Sequence, residues 1–390
     1  MRKTKEELEQ IKKEYGVNEL WSYSRLSTYK TSKWEYFLKY IKQEKPLSEV
    51  KSVYGIMGGA AHDIIEQFYE GKIKKEDMLA AYMDEWTMNV DMYDLKFSRE
   101  DAERNKNMAD KYYQNMCHYF KHFQPISYKK IYNEYFIITK ITDDIIIQGY
   151  VDNFYGDDKN NCIITDWKSS SKYSKKDMID KAAQLILYSE GLRQLGIPED
   201  KIACRWGFLK YADISIKQIN GKVATISAER RQIGEKCISK AKVWLKKLCP
   251  NKDADALADK MLRTNDIKCL PKEVRDKFSI DDCYVYIDKP IEQFQILKEE
   301  IIDIVNDIHW RTDEWKKTGD NNLWWDDDET CKRESFYFSN LCDYSINQLL
   351  PYKNYLERLQ NEKENIFSNT SKKSLDDMSN DELLELLGLI

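Results

Sequence analysis

No apolar run in this chain approaches the ~20 residues a helix needs to cross a bilayer. The opening Met1-Arg2-Lys3-Thr4-Lys5-Glu6-Glu7 lacks the apolar segment of an export signal. Nine cysteines are scattered without a CxxC pair. That excludes a disulfide framework and a ribbon-type zinc site, and it points to a reduced, cytoplasmic setting with no membrane partner. Neither a P-loop nor a GxGxxG loop is present, and no segment repeats, so a nucleotide-driven motor and a solenoid are both excluded. Histidine is scarce, with four in 390 residues, so composition alone says little about imidazole metal sites.

What is present is a well-charged chain, 42% hydrophobic and 33% charged, with a formal net charge of −5. A net negative charge argues weakly against a polyanionic partner. Five acids and no base lie in residues 374–390, however, and without them the balance is −5 + 5 = 0. Local patches therefore decide what the surface attracts.

The chemistry concentrates between Gln148 and Tyr188. Ile145-Ile146-Ile147 and Val151 lead into the turn formers Gly156 to Asn161, and Cys162-Ile163-Ile164 follows. Two β-rich runs around such a turn read as a hairpin. Asp152 sits in its first strand and Asp166 at the end of its second. Lys168, two residues on, shares a face with Asp166. Carboxylates there suit a hard cation such as Mg²⁺. A lysine cannot ligate while charged, but it can steady an attacking water or a phosphoryl oxygen. An Asp-x-Lys at a strand end is more often a solvated pair. Its place on otherwise apolar strands gives this one a reason to exist.

Upstream, residues 5–15 read as a charged helix and the aromatics from Tyr29 to Tyr40 as the core face of another. Arg25, with Lys30, Lys33 and Lys39, could edge a phosphate site. Small residues open a helix over 55–70, where His62 and Glu66, four apart, share a face. Two long helices fill 76–123 and a strand spans 129–140. Downstream come a helix over 177–196, a strand over 202–211, and a hairpin over 214–226 turning at Asn220-Gly221. From 229 onward the pattern is mostly helical: 229–248, 253–262, 290–317 and 346–360. Asp326 to Glu329 form an acidic turn, and 368–374 read as a linker. The last segment, from Met378, carries Leu at helical spacing.

This order defines an α/β (α+β) class: a small mixed β-sheet core flanked by helices, with a large helical insertion and a helical C-terminal region. The expected divisions are 1–54, an N-terminal helical region; 55–228, the core with its insertion at 76–123; 229–367, helical; and 368–390, a flexible linker with an acidic, Leu-rich tail.

Gly58-x-x-x-His62-x-x-x-Glu66, Gly149-Tyr150-Val151-Asp152, Asp166-Trp167-Lys168 and Gln184-x-x-x-Tyr188 arrive in the order and rough spacing of a known family. Together with Arg25-Leu26-x-x-Tyr29 they resemble the RecB-like, AddB-type branch of the PD-(D/E)XK nuclease superfamily over about residues 22–210. The resemblance implies that His62, Asp152, Asp166 and the Trp167 carbonyl hold Mg²⁺ or Mn²⁺. It implies that Lys168 is the catalytic lysine and that Glu66 holds a metal-bound water or orients His62. Gln184 and Tyr188 would contact or buttress the substrate phosphate. The implied activity is hydrolysis of DNA, most readily from ends, in recombination, repair or replication.

Iron–sulfur members place a cysteine where this chain has Ser32. Only Cys331 and Cys342 stand near the C-terminus, too few for a four-cysteine cluster, so no iron–sulfur cluster is expected. With no motor of its own, the chain is expected to act alone or with a separate helicase, recombinase or replication protein docked through its tail. By analogy it sits with phage or mobile-element exonucleases in a host cytoplasm. The competing expectation is a non-catalytic DNA-binding or scaffolding accessory that kept the fold.

Overall fold

The computed structural model describes residues 3–47, 53–92, 102–157, 161–174, 178–288, 291–325 and 335–370. The acidic turn at 326–329, Cys331 and the tail from 371 fall outside them. By contacts the chain divides into two units, Met1–Ser27 with Val50–Trp310, and Thr28–Glu49 with Arg311–Ile390. Both halves of each unit are distant in sequence.

The larger unit is built on a seven-stranded mixed sheet. Its strands are β1 (Trp21–Ser22), β2 (Lys130–Lys140), β3 (Ile146–Gly156), β4 (Cys162–Lys168), β5 (Ile202–Lys217), β6 (Val223–Glu229) and β7 (Phe278–Tyr286). β2 runs antiparallel along the whole of β3. On its other edge β3 meets β1 in parallel at Ile147 and Gln148, and β4 antiparallel from Asn153 to Gly156. β4 pairs in parallel with the first part of β5, Cys162↔Ile202 through Lys168↔Phe208. The parallel step is made by a crossover helix, Met178–Gln194, whose residues Ala182 to Leu192 include a long run of buried side chains.

Two apolar clusters hold the unit. One joins the helices Val53–Tyr69, Met78–Trp86 and Ala102–Lys121 to Trp167 and Leu209 of the sheet. The other packs the helices Ile233–Leu248 and Ala254–Thr264 against Ala212, Ile214 and Ile216. Both groups of helices follow apolar residues at helical spacing, and Asp253 caps Ala254–Thr264 by accepting from the Asp255 and Ala256 amides.

Two features depart from the sequence reading. β5 is one strand of 16 residues, not a strand followed by a separate hairpin. It does turn where Asn220-Gly221 indicated: Gln218 N–H reaches the Lys222 carbonyl at 2.8 Å, with Gly221 at φ +82°. β7, moreover, lies within a region read as helical. It pairs antiparallel with β5, and its Asp282 is matched by the Arg230 guanidinium at 2.5 Å.

The smaller unit is helical and aromatic. Tyr36 and Phe37 stack on Trp324 at 6.0 and 5.3 Å, and Phe37 meets Trp315 edge-on at 5.2 Å. The aromatic face near Tyr29 is core, as its spacing implied: Tyr29, Tyr36 and Phe37 are buried. Ser32 is a helix cap, its hydroxyl accepting from Glu35 N–H at 3.1 Å. Cys342 is buried with its thiol 3.6 Å from the Glu35 carboxylate. The last described helix runs Leu350–Thr370, into the stretch read as linker.

Candidate active site

Three elements of the larger unit bring the candidate residues together: the helix Val53–Tyr69, the β3–β4 hairpin and the helix Met178–Gln194. The first can lie close because its residues are small. A Cβ at Gly58 would stand 3.1 Å from the Ser169 hydroxyl, just beyond β4. Met57, Ala60, Ala61, Ile64 and Ile65 are buried, which leaves His62 on a neighbouring face. There its Nδ1 lies 3.5 Å from Asp152 Oδ2. Burial pushes the imidazole pKa down, against the pull of Asp166. A neutral ring keeps a lone pair that can ligate.

The hairpin opens at the site. The β3–β4 ladder ends at Asn153↔Thr165, so Asp152 and Asp166 come next, where the strands part. The Trp167 N–H, instead of joining a ladder, donates to Asp152 Oδ2 at 3.0 Å. Asp166 is 5% exposed, and its Oδ2 lies 2.7 Å from Lys168 Nζ. The two strands thus turn both carboxyls and the ammonium onto one half-buried patch.

The charges there are strongly coupled. Burial and the neighbouring Asp166 charge drive the Asp152 carboxyl well above its ordinary pKa, against the opposing pull of Lys168 and the Trp167 N–H. Burial alone would lower the Lys168 pKa, but Asp166, Tyr173 and Asp152 together outweigh it and the net shift is upward. Lys168 is therefore a fixed cation across the physiological range.

Tyr188 closes the other side. A Cβ at Gly149 would lie 2.4 Å from Tyr188 Cε1, so only glycine leaves room for the ring. The Tyr188 hydroxyl accepts from Gln184 Nε2 at 2.8 Å and donates to the Tyr150 carbonyl at 2.8 Å. Gln184 and Tyr188 thus brace β3 two residues before Asp152. Two other sequence candidates have separate surroundings. Glu66 is half-buried and its carboxyl makes no hydrogen bond to a described residue; burial and the charges of Glu70 and Glu134 raise its pKa. Arg25 pairs with Glu19 at 2.8 Å and lies over Trp21 at 3.9 Å.

Glu134 and Arg205 went unnoticed in the sequence. Glu134 holds φ +46° in mid-strand. The β2–β3 register runs Asn133↔Asn153 and Tyr135↔Val151, skipping Glu134 and Asp152, which places them opposite each other. The signal was an acid within an aromatic strand. Arg205 is buried, donates to Thr165 Oγ1 at 2.9 Å and stacks over Tyr284 at 3.5 Å, beneath the end of β4. No local pattern distinguishes it from a surface arginine.

The donor set suits a hard divalent cation: carboxyl oxygens, a neutral imidazole and a main-chain carbonyl. Two repelling carboxyls in a half-buried patch are what such an ion relieves. Among the described residues, no three His, Cys, Asp or Glu side chains already stand ready to ligate one ion. Lys168 holds Asp166 and the Trp167 amide holds Asp152 instead.

A mixed sheet that splays to present two carboxyls and a lysine is an arrangement suited to metal-assisted phosphodiester hydrolysis. The match to sequence families agrees: a model of the PD-(D/E)XK nuclease superfamily matches residues 20–317, and the chain belongs to that superfamily. No curated protein matches it. Among the described residues no helix is long and apolar enough to cross a membrane.

Proposed function

We propose that the chain is a divalent-metal-dependent DNA nuclease of the RecB-like branch, acting from DNA ends. The observation that carries this reading is the opened end of the β3–β4 ladder, where Asp152, Asp166 and Lys168 converge beside His62. Asp152, Asp166, His62 and the Trp167 carbonyl would hold Mg²⁺ or Mn²⁺, which when bound supplies Lewis-acid charge stabilisation and acidifies water. Lys168, cationic at neutral pH, steadies the attacking water and the phosphoryl charge. Gln184 and Tyr188 keep β3 in place, so their effect on chemistry runs through the position of Asp152. Glu66 lies one helical turn beyond His62, within reach of a role in orienting it or a water.

We further propose that residues 55–228 form the catalytic core, and that the acidic tail from 374 docks a separate recombination or replication protein. Removing that tail then spares cleavage of naked DNA. Digestion of 5′- and 3′-labelled single- and double-stranded DNA in Mg²⁺ or Mn²⁺ tests the central reading. Asp166→Ala and Lys168→Ala should each lower the rate by at least about 100-fold. Covalently closed circles should resist while linear duplexes are consumed. Equal digestion by wild type and both variants would refute the assignment. DNA binding without metal-dependent cleavage would leave a scaffolding role.

A further inference from the structure

A second site is built elsewhere in the larger unit. A pocket of about 460 Å³ lies between the end of the helix Ala102–Lys121, the turn Ile267–Cys269 and β7. It shares no lining residue with the carboxyl patch. We propose that this pocket binds a mononucleotide-class ligand, with a flat heterocycle inside and a phosphate at its rim.

The size suits such a molecule, since small-molecule sites run from ~300 to ~1,000 Å³. The floor is fixed. Arg230 is 2% exposed; its Nε donates to the Leu209 carbonyl at 2.8 Å, and its charge is answered by Asp282. The Asn265 amide is spent on both sides, to the Arg230 carbonyl at 2.7 Å and from Gly234 N–H at 2.9 Å. These groups cannot turn to meet a ligand, but they hold the cavity open.

The wall supplies the recognition surface. His118 and His122, one helical turn apart, stack at 4.3 Å. His118 Nδ1 and His122 Nε2 are buried and make no hydrogen bond to a described residue. Burial lowers both imidazole pKa values, His118 to about 3. Neutral, the pair offers aromatic faces and polar edges that a heterocycle's amino or ring nitrogens can meet. Ile267 and Ile280 add apolar contact.

The rim supplies charge. Lys268 and Arg275 line the pocket, and neither forms an ion pair with a described residue. The acid beside them is already engaged: Asp266 Oδ1 accepts from Lys268 N–H at 2.8 Å, and its Oδ2 stands 3.7 Å from His122 Nε2. Two cations with one engaged carboxylate favour a phosphate there. A metal ion fits the pocket less well. The imidazoles stack face to face, and among the described residues no three His, Cys, Asp or Glu side chains stand ready to ligate one.

The test is calorimetric titration of the full chain with each deoxynucleoside monophosphate. The matching nucleoside, inorganic phosphate, zinc alone and a short 5′-phosphorylated oligonucleotide are run alongside. At least one mononucleotide should bind, and its nucleoside and inorganic phosphate should bind at least about tenfold more weakly. The double variant Lys268→Ala/Arg275→Ala, with an unchanged Tm, should weaken binding by about tenfold or more. Asp166→Ala should leave it unchanged, which separates this pocket from product binding at the carboxyl patch and keeps the outcome independent of the nuclease reading. Oligonucleotide binding lost in the double variant would support the same chemistry, with a DNA end as its source. The proposal is overturned if no mononucleotide binds more tightly than phosphate, if the double variant binds equally well, if Asp166→Ala abolishes binding, or if zinc alone binds through the two histidines.

Discussion

Gly149→Ala is the smallest change that should disable the candidate site without touching any group on the patch. The added methyl would lie 2.4 Å from Tyr188 Cε1 and 3.2 Å from its Cζ and hydroxyl. It falls about 1 Å short of ordinary contact, so the ring or the strand must move by that distance. Neither moves freely. Tyr188 is 6% exposed, and its hydroxyl is fixed at 2.8 Å to both Gln184 and the Tyr150 carbonyl. A 1 Å displacement takes that pair out of hydrogen-bond range. Overpacking of ~1–3 kcal/mol adds to a lost hydrogen bond of ~1 kcal/mol. A total near 3 kcal/mol corresponds to a fall in Tm of roughly 4–5 °C for a unit of this size. Asp152 lies three residues on, and misplacement of about 1 Å can cost ~100-fold in rate. Differential scanning fluorimetry and DNA cleavage read the two effects. The control is a double-mutant cycle with Tyr188→Ala, which removes the obstructing ring. In that background Gly149→Ala should add almost nothing. If it is equally harmful there, or neutral in wild type, the steric account of Gly149 and Tyr188 is wrong.

Asp152→Asn should abolish cleavage while leaving the fold at least as stable at neutral pH, because it keeps an acceptor for the Trp167 amide and removes a buried charge; chemical denaturation beside an activity assay checks both. The sign follows from the raised Asp152 pKa. The folded state holds that proton longer than the unfolded chain, so wild-type stability falls as pH rises from the ordinary carboxyl range through the folded value, and the variant should flatten that fall. His118 works in the opposite sense. Its folded pKa is lowered from 6.5 to about 3, so the unfolded chain takes up the proton first. Stability is lost as pH falls below 6.5, by at most about 1.4 kcal/mol per pH unit. His118→Gln should reduce that slope between pH 6.5 and 5, measured by urea midpoints; an unchanged slope would show that the ring is not buried neutral.

The hairpin carrying Asp152 and Asp166 was legible because apolar runs, turn formers and the two-residue spacing to Lys168 are all local signals. His62 was legible as a helical spacing with Glu66, the Gln184–Tyr188 pair only through the family resemblance, and the aromatic core near Tyr29 by its period. The rest depended on contacts that no local window holds. β7 looks unlike a strand because Asp281 and Asp282 interrupt it and only Phe278 and Cys283 are buried; Arg230, far upstream, is what accommodates Asp282. β5 reads as two pieces because its pairing with β7 shifts between Gly207 and Ala212, beside the polar Asp213. Residues 28–47 group with described residues beyond 310, an association that periodicity cannot express. Asp152's neighbour across the sheet, Glu134, was hidden because register is a property of two strands together.

The Trp167 amide carries a proton whose bond reads out the state of the patch. A ladder amide exchanges with solvent when its strands separate. This one is held by a titratable carboxylate, so its exchange rate and NMR frequency follow what Asp152 is doing. Protonation, substitution or the arrival of a divalent ion at Asp152 each alters its acceptor. A single ¹⁵N-labelled tryptophan main-chain resonance therefore serves as a built-in gauge of the site, usable with no substrate present.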